Sequence, residues 1–162
     1  MKIKFFATGG TIDKIYFDAL STYEIGCPKI KDILTEALVN FTYEVNSLTK
    51  KDSLDLNDRD RNKILNAVRE EECRRIVITH GTDTMVKTAQ TLKQVKGKTI
   101  VLTGAMAPAS FKITDAQFNL GLAVAAVQTL PPGVYLAVNG RILNPDRAIK
   151  NRERKMFEKK YG

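Results

Sequence analysis

The sequence predicts an α/β protein in three layers, with a mostly parallel sheet flanked by helices on both faces. Three observations predict it. Short apolar runs alternate with amphipathic helical stretches along the chain. The clusters that separate them are glycine- or proline-containing turns, with no low-complexity linker. The 162 residues, 43% hydrophobic and 27% charged, fall within the range of one folded domain. The whole chain, 1–162, is therefore read as a single domain, with a basic tail at about 151–162.

Each element has its own signal. KIKFFAT (2–8) reads as a strand that stops at Gly9-Gly10. Thr11 to Cys27 mixes Gly, Ser and Asp with aromatics and reads as a hairpin or flexible loop. Pro28 suits the first turn of a helix, and KIKDILTEAL continues it with Ile30, Ile33, Leu34 and Leu38 on one face. YEVNSL (43–48) is a second strand. Asn57 is an N-cap before DRDRNKILNAVREEE, whose early acidic residues suit the positive end of the helix dipole. RRIVITH (74–80) is a third strand, GTDTMVKTAQTLKQV a helix, and KTIVLTG (98–104) a fourth strand. ITDAQFNLGLAVAAVQTL follows as a long helix. Pro131-Pro132-Gly133 breaks the chain before VYLAV (134–138), the fifth strand.

Alternation of this kind implies right-handed crossovers and a parallel sheet covered on both sides. Ligands of such sheets bind outside the carboxyl ends of the strands. The polar motifs fall at those ends: Thr8-Gly9-Gly10-Thr11, Asp52-Ser53, Thr79-His80-Gly81-Thr82-Asp83 and Thr103-Gly104-Ala105. Their convergence argues for one shared site.

Composition narrows the classes of function. No apolar run reaches the roughly 18 residues of a membrane helix, and MKIKFFATGG does not read as a signal peptide, so a cytoplasmic protein is expected. Cys27 and Cys73 form no CxxC pair and are read as reduced structural thiols. With His80 the only histidine, a multi-histidine metal site is excluded. The net charge of +8 is concentrated at the C-terminus, where residues 141–162 hold eight Lys/Arg against three Asp/Glu. Without zinc-finger spacing, RNA-binding aromatics or repeats, this charge reads as a solvated face and nucleic acid as an unlikely partner. There is no GxSxG elbow and no phosphate-cradling loop.

TGGT alone serves equally as a tight turn, and Thr82 or Asp83 alone as a helix cap. Taken together, TGGTI (8–12), THGTDTM (79–85), LTGAM (102–106), FNL (118–120) and Lys150 eleven residues after Asn139 resemble the bacterial-type L-asparaginase family across nearly the whole chain. The resemblance implies that family's N-terminal-type α/β domain and hydrolysis of L-asparagine to L-aspartate and ammonia through an acyl-threonine intermediate, with no cofactor and no metal. It matches Thr11 to the nucleophile and Tyr23, in SxYxIG, to the mobile-loop tyrosine that polarises it. Thr82, Asp83 and Lys150 match the second hydroxyl–carboxylate–amine group. Gly10, Ser53, Gly81, Thr82 and Asp83 match the substrate-binding set, Ser53 and Asp83 holding the α-carboxylate and α-amino group.

The chemistry such a set must perform is independent of the label. A threonine hydroxyl is a poor nucleophile without a base or proton relay. A lysine serves as that base only when its pKa is lowered, which an acidic neighbour such as Asp83 opposes while holding it in place. The oxyanion needs donors, and the N–H groups of a helix starting at Gly81–Thr82 would supply them.

Departures from the family pattern shape the remaining expectations. Members are about twice as long, and their second domain lends residues to a neighbouring subunit's site; here the site would draw on a neighbouring copy or bind loosely. A homo-oligomer, dimer or tetramer, is expected, two-fold symmetry being the commonest arrangement. Leu54 stands where many relatives have glutamine, Ala107 where GAMRP places arginine, and TDAQ where SDG is usual. These changes favour asparagine over glutamine. The alternative in another class is a catalytically weak amino-acid-binding or sensing domain that retains the motifs.

Overall fold

A computed structural model describes residues 1–160. Strand β1 (Lys2–Ala7) runs into a 3-10 turn at Thr11–Asp13. A hairpin of β2 (Lys14–Phe17) and β3 (Thr22–Ile25) follows, then α1 (Ile30–Glu36) and β4 (Thr42–Ser47). Next come α2 (Asp58–Glu70), β5 (Arg75–Thr79), α3 (Met85–Leu92), β6 (Thr99–Thr103), α4 (Ala116–Thr129) and β7 (Gly133–Val138). The chain closes with β8 (Arg141–Leu143), β9 (Ala148–Asn151) and β10 (Met156–Lys159). No helix among the described residues is long and apolar enough to cross a membrane.

Six strands form one sheet in the order β4-β1-β5-β6-β7-β8, parallel except for the edge strand β8. Helices cover both faces, as expected for an α/β fold. Side chains alternate across the sheet: Phe6, Ile76, Ile78, Ile100, Leu102 and Leu136 pack against α2 and α3. Phe5, Val77, Val101 and Ala137 face α1 and α4. Being apolar on both sides is what makes the central strands read as continuous hydrophobic runs. On α4, Ala116, Ala123 and Ala126 are fully buried, and their small size lets that helix lie close against the sheet.

The strand order locates the site. From β1 the chain moves outward to β4, then crosses back so that β5 lies on the other side of β1. The sheet therefore reverses its winding between β1 and β5, and ligands of open α/β sheets bind at such a switch point.

Three expectations need correction. Leu38 does not join the buried face of α1 but is 88% exposed, with φ of 51°. The helix ends in a Schellman arrangement, Val39 N–H donating to the Leu34 carbonyl and Leu38 N–H to that of Thr35. This turns Val39 toward the core and Leu38 outward. The helix expected from Gly81 begins at Met85 instead, with Thr84 at the N-cap position. Thr82 and Asp83 are thus not its caps, and Gly81–Thr82 do not form its first turn. Finally, part of the segment read as a basic tail is structured, since β9 and β10 pair with Lys150 opposite Phe157. Phe157 is 2% exposed and joins the core beside Val138 and Leu143.

Candidate active site

The ends of β1, β5 and β6 are drawn together by backbone contact. Thr8 donates its N–H and its hydroxyl to the Thr79 carbonyl, at 3.0 and 2.9 Å. His80 N–H donates to the Thr103 carbonyl at 2.8 Å. Gly10, with φ of 90°, lies so close to the next loop that a Cβ there would sit 2.5 Å from the Gly81 Cα. A Cβ on Gly81 would in turn lie 2.6 Å from the Ser53 Cβ. Gly10, Gly81 and Ser53 are therefore stacked, and any side chain at either glycine would force the loops apart.

Ser53 is 1% exposed, and its hydroxyl has no hydrogen-bond partner. An unpaired buried hydroxyl is costly and calls for an explanation. Here it lies against the Gly81 turn. The N–H groups of Gly81, Thr82 and Asp83 also donate to no acceptor among the described residues. The turn thus offers main-chain donors of the kind an oxyanion or a carboxylate accepts. Its position is fixed by the Thr84 hydroxyl, which donates to the Ser53 carbonyl at 2.7 Å.

Lys150 reaches this turn from β9. Its Nζ donates to Thr82 Oγ1 at 2.7 Å and to Asp83 Oδ1 at 2.9 Å, and its side chain is only 15% exposed. Several bonds place it there. Asn119, in the FNL segment at the start of α4, donates to the Gly104 carbonyl and to Asp115, while its Oδ1 accepts the Asn139 N–H. Asn139, with φ of 53° at the end of β7, accepts the Phe157 N–H on its own side-chain oxygen at 2.9 Å. Phe157 pairs with Lys150 across the hairpin. Hydrogen bonds and strand pairing therefore connect the loop after β6 to the strand that carries the amine.

Thr11 is half-buried and opens the 3-10 turn directly after Gly10. Tyr23 lies on β3, 53% exposed, where it meets the rings of Tyr16 and Phe111 at 5.4 and 5.9 Å. Its hydroxyl makes no hydrogen bond to Thr11. The structure thus brings Thr82, Asp83 and Lys150 together, and Gly10, Gly81 and Ser53 together. It leaves Tyr23 on an open aromatic hairpin.

Two buried titratable groups flank the site. Burial pushes His80 down to about 4, with the nearby charge of Arg61 acting in the same direction and the Gly81 carbonyl against it. That carbonyl, 2.7 Å from Nδ1, can only accept. The proton is thereby assigned to Nδ1, leaving Nε2 to accept from the Thr88 hydroxyl at 2.8 Å. His80 is a neutral strut, not a base for Thr11. Asp13 is raised to about 6 by burial, opposed by the Lys29 N–H that it accepts at 2.9 Å. Its backbone carbonyl accepts the Gly26 N–H, so Asp13 ties both ends of the β2–β3 hairpin to the frame.

Sequence reasoning missed two contributors. Arg152 Nε lies 3.3 Å from the same Asp83 oxygen that Lys150 contacts. Asp115 holds the loop after β6 by accepting the N–H groups of Met106 and Ala107 at 2.9 to 3.1 Å. The signal for Arg152 was its i+2 spacing from Lys150, which places both on one face only if the segment is a strand.

A doubly covered, mostly parallel sheet thus carries a hydroxyl–carboxylate–amine cluster at its switch point, where open α/β sheets bind their ligands. Comparison with known proteins makes the assignment specific. The family model for the asparaginase N-terminal domain matches residues 2–159, and the chain belongs to the asparaginase family. It is 37% identical over 154 residues to a probable periplasmic L-asparaginase of Haemophilus influenzae, covering 87% of this chain and 44% of that one. It is also 37% identical over 94 residues to a glutaminase-asparaginase of Pseudomonas aeruginosa, covering 54% and 26% respectively. Its fold superposes on the thermostable L-asparaginase of Thermococcus kodakarensis with a TM-score of 0.84 and 29% identity, over 98% of this chain and 51% of that one. The chain thus spans about half the length or less of these relatives.

Proposed function

We propose that the chain hydrolyses the side-chain amide of L-asparagine to L-aspartate and ammonia, with Thr11 as nucleophile. The observation that carries this reading is the placement of Lys150. Its amine comes from a separate hairpin to lie between Thr82 and Asp83, beside a turn with unpaired main-chain donors and the unpartnered Ser53 hydroxyl.

In this scheme the Thr11 oxygen attacks the amide carbon, and the carbonyl electron pair moves to oxygen. The N–H groups of the 81–83 turn stabilise that oxyanion. The proton released from Thr11 passes through Thr82 and Lys150 to the leaving nitrogen, the carbon–nitrogen bond breaks, and ammonia departs. Water then attacks the acyl-threonine ester and regenerates the hydroxyl. Ser53 holds the substrate carboxylate in place. Asparagine is preferred over glutamine, because Leu54 presents only an apolar side chain, 63% exposed, where a longer substrate needs a polar contact.

The test is ammonia release from L-asparagine by the purified protein beside Thr11→Ala. Removal of an acting nucleophile lowers kcat by at least about a thousandfold. A variant that retains most of the activity rejects Thr11 as nucleophile, and a wild type that releases no ammonia rejects the reaction.

A further inference from the structure

We propose that His80 is a positioning residue, whose ring holds the Gly81–Thr82 peptide so that the Thr82 N–H is presented to the oxyanion. The inference rests on the hydrolase reading above and assigns a part to a group that reading leaves idle. His80 is the chain's single histidine and is 0% exposed, directly after β5.

Three fastenings fix it. Its N–H donates to the Thr103 carbonyl at 2.8 Å. Its carbonyl oxygen is packed so closely by the loop after β6 that a Cβ on Gly104 would lie 2.3 Å away. Its Nε2 accepts at 2.8 Å from the hydroxyl of Thr88, itself fully buried on α3. That leaves Nδ1, which donates to the Gly81 carbonyl at 2.7 Å.

The consequence lies across that peptide. It is trans, and a planar trans peptide carries its C=O and N–H in opposite directions. Drawing the Gly81 oxygen toward the buried ring therefore turns the Thr82 N–H away from it. That N–H donates to no acceptor among the described residues, while the Thr82 hydroxyl meets the Lys150 amine at 2.7 Å. One residue thus offers both the oxyanion donor and the relay. Gly81 has no side chain to restrict its backbone, and the reversed peptide would aim a carbonyl at the developing negative charge. Reversal would also strand the Nδ1–H in the interior, where an unpaired donor is poorly tolerated. The ring therefore decides which side of the peptide the site meets.

The experiment compares wild type, His80→Leu and His80→Asn in ammonia release from L-asparagine, with Tm measured on each. Leucine and asparagine have nearly the same shape and leave the same space where the ring stood. Only asparagine keeps an N–H near the position of Nδ1. Misplacing an oxyanion donor costs about 10- to 100-fold in rate, so His80→Leu lowers kcat by that factor with KM within about threefold. His80→Asn recovers most of the loss, although both variants lower Tm. Equal kcat in the two variants, or a fall carried by KM, overturns the proposal, because only packing is then at work. If neither variant folds, the ring-nitrogen NMR spectrum of isotope-labelled wild type decides, since His80 alone contributes to it. A protonated Nδ1 with a bare Nε2 supports the role, and the opposite tautomer overturns it. A wild type that releases no ammonia refutes the hydrolase, and the ring spectrum then still tests the orientation of the peptide.

Discussion

Replacing Ser53 with alanine should make the protein more stable and a poorer binder of its substrate. The side chain is 1% exposed, and its hydroxyl has no partner. A buried hydroxyl left unpaired costs roughly 1–3 kcal/mol. Alanine removes that one atom while keeping the Cβ stacked beneath Gly81. It also keeps the main-chain carbonyl that accepts from Thr84 at 2.7 Å, and the Asp52 cap of the local turn. Offset by a small loss of packing, the net gain is about 1 kcal/mol, or roughly 2–4 °C in Tm for a chain of this size. The same hydroxyl, bonded to a substrate carboxylate, contributes about 1.5–3 kcal/mol to binding, so KM rises about 10- to 100-fold with little change in kcat. Scanning calorimetry and steady-state ammonia release read the two effects on one preparation. A Tm that falls while KM stays constant refutes the reasoning, since it means the hydroxyl serves the fold.

Two further predictions concern the frame. Asn139→Ala loses the bond to the Phe157 N–H and places alanine in a left-handed conformation, together about 2 kcal/mol in chemical denaturation. Asn139→Gly, free of the conformational penalty, loses only about 1 kcal/mol, and both lower activity by loosening Lys150; wild-type stability in both variants refutes the role given to this residue. Asp13 and His80 act oppositely on the pH dependence of stability. Asp13, raised from 3.8 to about 6, holds a proton in the fold that the unfolded chain has lost, so its contribution falls as pH rises from about 4 to 6. His80, lowered from 6.5 to about 4, resists a proton that the unfolded chain takes up, so stability is lost as pH falls from 6.5 to about 4. The two nearly cancel in the wild type, whereas Asp13→Asn loses up to about 3 kcal/mol between pH 6.5 and 4; a flat profile in that variant refutes the assignment of His80.

How much was legible in the sequence follows from how each residue earns its place. The central strands were readable because Ile76-Val77-Ile78 and Ile100-Val101-Leu102 bury both faces, leaving unbroken apolar runs. The Asn57 cap was readable because it stands directly before the helical pattern with acidic residues in the first turn; the structure adds the reciprocal capping box with Asp60. Lys150 was found through its resemblance to a family motif, while its hairpin was not. IKN and MFEK sit in a run of like charges that reads as solvated, and a two-stranded ribbon is marginal by itself. What forms it is tertiary: Phe157 entering the core and Asn139 fixing its N–H. Arg152 was invisible for the same reason. The start of α3 was misplaced because local pattern favours helix from Gly81 onward. Stacking of Gly10 on Gly81 and of Gly81 on Ser53 holds that turn out of helical conformation.

These origins divide the site into two parts with different physical character. The wall made by Gly10, Gly81 and the end of β5 is backbone against backbone, with no room for a single added carbon, and close-packed structure of this kind moves little. The charged wall, Lys150 and Arg152, hangs on a ribbon joined to the sheet chiefly through Phe157 and Asn139. Both cations converge on one oxygen of Asp83, so the carboxylate that holds the amine is also a point where the ribbon is pinned to the close-packed wall. Neutralising Asp83 would therefore act on geometry as well as charge, releasing the amine and the guanidinium together. In the proposed reaction the oxyanion donors and Thr82 belong to the close-packed wall and Lys150 to the ribbon, so attack rests on one support while proton transfer bridges the two. Docking of the ribbon is what brings them into register.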